Sequence, residues 1–177
     1  LLNNFKGEYF FLLTDDDILL PNSLAKLKQI IIHNSECSVF LSSYELFSEK
    51  QKITYIHHTF PISKKISKSN IQDVVKFYNA SSVASRICVR REFIDIEGYS
   101  NHIKSMYPCM YLVGYAALNG ASFYIKDSLI RHTGENKIFW DYPDDYMLND
   151  KIKLIRDLNR FDNKFYPLAF DYLISND

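Results

Sequence analysis

The chain has no excess of charge of either sign. Its 21 lysines and arginines balance 21 aspartates and glutamates, so no bulk attraction to nucleic acid follows and any partner is chosen locally. It has no apolar run near the roughly 20 residues that span a bilayer, and no basic-flanked leader; the expectation is a cytoplasmic protein. Cysteine is scarce: Cys37, Cys88 and Cys109 are widely spaced, odd in number and without a C-x-x-C pair. That argues against a disulfide framework or structural zinc and predicts core thiols in a reducing compartment. A Gly-rich phosphate loop and a nucleophile motif are both missing, which disfavours a phosphotransferase or hydrolase. There is no internal repeat or low-complexity segment. Tryptophan occurs once, against 13 tyrosines and 13 phenylalanines, enough aromatic surface for a core and for a sugar or base platform.

What is present is an alternation of strand-like and helix-like segments, the pattern of an α/β fold with a mixed sheet flanked by helices. Residues 9–13 (YFFLL) have the apolar density of a central strand covered on both faces. Pro21 then suits the first turn of a helix whose Leu24, Leu27, Ile30 and Ile31 recur at helical spacing. Ser38 to Leu41 and Ile53 to Ile56 read as strands. The polar, basic stretch PISKKISKSN reads as a surface loop ending in Asn70 as a helix cap. SSVASRICVRREFI reads as a short strand turning into a short helix. YPCMYLVGYAALNG reads as a buried helix ended by Asn119 and Gly120, and ASFYIKDSLIRHT as one or two further strands. Amphipathic helices follow from Met147 and from Phe165, able to pack on the sheet or against a second copy of the chain.

Between the first strand and the first helix stand Asp15, Asp16 and Asp17. Two such carboxylates about 4 Å apart at an effective dielectric of about 20 repel by roughly 4 kcal/mol. A divalent cation is the obvious offset, a solvated helix-capping run the plainer one. Two other groups leave alternatives open. Arg86, Arg90 and Arg91 could meet a diphosphate or a charged acceptor, or be solvated strand-end arginines. His57 and His58 read as strand-edge residues, because no carboxylates are spaced around them for a metal.

The segment GEYFFLLTDDDILLPNSLAKL resembles the acidic-motif region of family 2 glycosyltransferases of the GT-A fold, in particular the bacterial branch that builds lipopolysaccharide, capsule and other surface polysaccharides. SSVASRICVRREFIDIEGYS is similar to that family's second conserved segment, and YLVGYAALNGASFYIKDSLIRHTGEN to the run in which a helix leads into a strand and a basic element. The resemblance implies a truncated GT-A domain over residues 1–140, lacking the N-terminal nucleotide-binding third, with a helical extension over residues 141–177. It implies inverting transfer from a nucleotide-diphosphate sugar to a glycan or lipid-linked acceptor, with Mg²⁺ or Mn²⁺, by a protein of the cytoplasm in peripheral contact with the inner face of the membrane. Asp15 and Asp17 match the outer positions of the D-x-D motif, with Asp17 the first candidate for metal and Asp15 shared between metal and donor. Asp16 is placed on the donor, His132 as a further metal ligand and Arg131 on phosphate. The family's carboxylate base has no counterpart in GYSNHIKSMYPCMYL. His102 is the nearest titratable candidate, with Asp95 and Glu97 as further options. The absent acid and the absent nucleotide half equally fit a non-catalytic carbohydrate-binding module, and the terminal helices could form a homo-oligomer.

Overall fold

The computed structural model describes residues 4–48, 53–133 and 144–176. They form a mixed α/β fold around a seven-stranded sheet whose main path runs β1 (Tyr9–Phe11), β6 (Ile87–Arg90), β3 (Cys37–Ser48), β7 (Ala121–Thr133) and β2 (Ile18–Leu19). Two further strands extend it: β4 (Ile53–His57) pairs with β3, and β5 (Lys64–Ile66) with β7. The central β3–β7 pair is parallel, and every other pairing among the described residues is antiparallel.

Period-two alternation sends successive side chains to opposite faces of the sheet. Val39, Leu41, Ile87 and Val89 enter one core with α2 (Ile71–Asn79), α4 (Pro108–Asn119), α5 (Asp144–Leu158) and α6 (Phe165–Asn176). Phe40 and Cys88 face the other way, toward Leu27 of α1 (Ser23–His33), and a register irregularity between Cys37 and Val39 puts Cys37 with them. All three cysteines are buried free thiols, and burial pushes Cys88 up to about 12. The first helix starts at Ser23 with Asn22 as its N-cap, so Pro21 precedes the helix rather than standing in its first turn. The second, α2, is capped by Asn70, whose side chain accepts from the Asp73 amide.

Two expectations need correction, and two are refined. The first strand is an edge strand, not a central one: β1 pairs only with β6 among the described residues. It is apolar because Tyr9 and Phe11 cover the α1-side core while Phe10 packs on Phe5. The basic stretch after Pro61 is no loop; Ile66 is buried and β5 joins the sheet, with Lys64 and Lys65 on Asp73 and Glu36. Gly120 ends α4 in extended conformation, and glycine is needed there because a Cβ would strike Ser38 and Phe93. The terminal helices spend their apolar faces internally: Leu154, Ile155, Leu158, Phe165 and Ala169 share the core of the sheet, α2 and α4. The boundary drawn at residues 140 and 141 lies outside the described residues.

Entry to α1 carries a local strain. Asn22 sits at φ 63°, the one described non-glycine residue with positive φ. Asparagine tolerates that region and most residues do not. Asn22→Ala should therefore cost about 1 kcal/mol, while Asn22→Gly should cost nothing or stabilise slightly. Urea denaturation of both variants checks this, and equal losses would contradict it.

Candidate functional site

The antiparallel register that sets Ile18 opposite Arg131 brings its neighbours Asp17 and His132 side by side. His132 Nδ1 lies 2.7 Å from Asp17 Oδ1, joining residues 115 apart in sequence. The Asp17 side chain is 2% exposed and that of His132 30%. Thr14 Oγ1 donates to Asp17 Oδ2 at 3.0 Å. Ser85 Oγ accepts from the Thr14 amide and lies 2.8 Å from Thr14 Oγ1. The three aspartates therefore diverge: Asp17 turns into this pocket, Asp15 is exposed and Asp16 is intermediate. Their mutual repulsion is relieved by that divergence and by the imidazole on Asp17.

The pair polarises both partners. Burial pushes the Asp17 carboxyl up, but the hydrogen bonds from His132, Ser85 and Thr14 and the His132 charge outweigh it, and the net shift is down. His132 is raised, first by its bond to Asp17, against burial, with the charges of Asp17 and Asp16 adding to the rise.

Beside the pair lies Tyr44, whose ring meets His132 edge-on at 5.9 Å and stacks on His57 at 5.0 Å. The Arg86 guanidinium stands 5.0 Å from the same ring. Arg86, Tyr44 and His57 help wall a cleft of about 420 Å³.

Of the other sequence candidates, Arg131 is committed to Glu45, its neighbour across β3 and β7, at 2.9 Å. His102 is 3% exposed at the end of α3 (Ile96–Asn101), with Nε2 3.0 Å from Asp157 and its ring tilted on Tyr111. None of its contacts among the described residues reaches Asp17, His132 or the cleft. Asp95 caps α3 and accepts from Tyr111. Arg90 is paired with Glu8 and Glu92, and Arg91 is exposed. Thr14, Ser85, Tyr44 and Thr59 carried no signal beyond their position near the aspartates or the histidines.

Could the pair hold a metal? Among the described residues no three His, Cys, Asp or Glu side chains converge. The donors available are one carboxylate and one imidazole in mutual contact, with Asp16 near enough to act on His132. A Mg²⁺ ion bound through one or two carboxylates completes its shell with water and substrate phosphates, and that minimum is what these residues supply. Compared with known families and curated proteins, the chain matches neither a family model nor a curated protein. Fold and site together define a mixed α/β protein with a buried carboxylate–imidazole pair next to a cleft lined by basic side chains.

Proposed function

We propose that this chain is the acceptor-side part of a GT-A glycosyltransferase that moves a sugar from a nucleotide-diphosphate donor to a glycan or lipid-linked acceptor. The observation that carries this reading is the pairing of Asp17 with His132, which stand in two separate segments of the resemblance and are joined by strand register. In this role Asp17 and His132 hold the cation and Asp15 and Asp16, on the adjoining turn, face the donor. A bound Mg²⁺ or Mn²⁺ supplies charge neutralisation at the departing diphosphate. The Thr14 hydroxyl and the Ser85 contact orient the Asp17 carboxylate, as outer-shell partners of a ligand do. Arg131 reaches a phosphate only by leaving Glu45, so its role here is secondary. The reading places the chain in the cytoplasm, and among the described residues no helix is long and apolar enough to cross a membrane.

A second reading, a carbohydrate-binding module without catalysis, is favoured by one observation. His102, the candidate base, is buried against Asp157 and Tyr111. Titration calorimetry with UDP, with and without Mn²⁺, tests the proposal on the wild type and on Asp17→Ala. The expected result is saturable binding that weakens about tenfold or more when either Mn²⁺ or Asp17 is removed. UDP affinity indifferent to both would sink it.

A further inference from the structure

Arg86 is 2% exposed, and among the described residues it has no carboxylate within ion-pair distance. Its Nη2 donates to Thr59 Oγ1 at 3.2 Å, while Nε is buried without an acceptor. A guanidinium keeps its charge at neutral pH even where burial drags its pKa down to about 10. A buried charge without a counter-ion is heavily penalised, and buried side-chain donors are normally matched. The counter-charge that this arginine lacks among the described residues is what the space beside it can admit.

That space is the cleft of about 420 Å³, a volume within the range of small-molecule sites. Besides Arg86, its wall carries His57, His58, Lys76, Thr59 and Asn79, and among the described residues none that lines it is Asp or Glu. The same positive field acts on His57, which burial, Arg86 and His58 together hold below its ordinary pKa. Arg86 and Lys76 converging on one concavity, with imidazole, hydroxyl and amide groups between them, recognise an oxyanion.

We propose that this cleft is a second anion site, separate from the Asp17–His132 pair, which takes the phosphate or carboxylate of a small acidic ligand on Arg86. That the ligand is the sugar acceptor rests on the transferase reading; the anion site itself does not. Tyr44 lies between the two sites, in contact with His132 on one side and under Arg86 on the other. A ligand anchored on Arg86 is thereby held next to the pair.

The test is titration calorimetry of the whole chain, free of divalent cations, with inorganic phosphate and separately with glucuronate at matched ionic strength. The two arms separate phosphate from carboxylate ligands. Saturable binding of at least one is expected, weakened about tenfold or more in Arg86→Met and changed less than about twofold in Asp17→Asn. Absence of saturable binding in both arms, or binding that Arg86→Met leaves intact, overturns the proposal. Arg86→Met removes an uncompensated charge, so it should fold with a Tm no lower than that of the wild type. Should it fail to fold, His58→Ala/Lys76→Gln on the cleft wall decides. About threefold weaker binding supports the site, and unchanged binding overturns it. If UDP binding ignores Mn²⁺ and Asp17 while phosphate or glucuronate still depends on Arg86, the transferase reading falls and the anion site stands. The reverse pattern removes the anion site alone.

Discussion

His132→Ala should destabilise the protein by about 3 kcal/mol near pH 5.5, the low end of the range for stripping the partner from a buried charge. Asp17 keeps Thr14 but loses the one cationic neighbour in direct contact with it among the described residues. The loss should depend on pH in a defined direction. His132 has a raised pKa in the fold, so its contribution is complete below the unfolded value of about 6.5 and fades as pH rises through the folded value. Asp17 has a lowered pKa, so its contribution is present above about 3.9 and fades as pH falls through the folded value. The gap between wild type and variant is therefore widest from about pH 4 to about 6.5. Urea denaturation of both proteins at about pH 5.5 and about pH 8.5 checks it. A gap no larger at the lower pH would mean that the pair is not ionised as described.

Gly98→Ala should cost a similar amount, about 3 kcal/mol, through a different mechanism. A Cβ at this position would fall on the Tyr111 hydroxyl and the Asp95 carboxylate. Those two groups are joined at 2.7 Å, with Arg160 Nη2 2.8 Å from the Tyr111 oxygen and 3.2 Å from Asp95 Oδ2. Tyr111 is fully buried, so its ring has nowhere to retreat. The added methyl both overpacks the end of α3 and parts a buried hydroxyl from its acceptor. The double variant Gly98→Ala/Tyr111→Phe removes the hydroxyl contact but leaves the ring carbon Cζ and the Asp95 carboxylate against the added Cβ, so its loss should be smaller than the sum of the two single losses. Simple additivity of the two losses in a double-mutant cycle would contradict the account.

The sequence made the Asp17–His132 pair legible because each residue stood in its own recognisable segment, although the register that joins them could not be read. The cleft stayed hidden for the opposite reason. Arg86, Tyr44, His57 and Lys76 come from four separate elements, and only strand order and helix placement bring them to one wall. Helices were easier than strands because periodicity and caps are local, as the Asn70 cap of α2 illustrates. Strand position was not local: apolar density in Tyr9–Phe11 reads alike for a central strand and for an edge strand covered by Phe5 and the α1-side core. The three residues of β5 were missed because two lysines, paired with Asp73 and Glu36, outweigh the single inward Ile66. His102 looked available because a histidine in a polar stretch carries no mark of being buried; its cover comes from Tyr111 and Asp157 on later helices.

The parallel joint between β3 and β7 should slow folding. Ser43 and Tyr124, hydroxyl to hydroxyl across it, are 81 residues apart in sequence. Closing a loop of that length costs roughly 4 kcal/mol of chain entropy before any sheet contact repays it. The β3–β4 hairpin and the neighbouring helices close far shorter loops and can assemble first. The centre of the sheet, where Tyr44 and His132 meet, is thus expected to close after these local units, together with the β2–β7 pairing that brings Asp17 to His132 across 115 residues. Until that step is complete, the apolar strands on either side remain open to other chains.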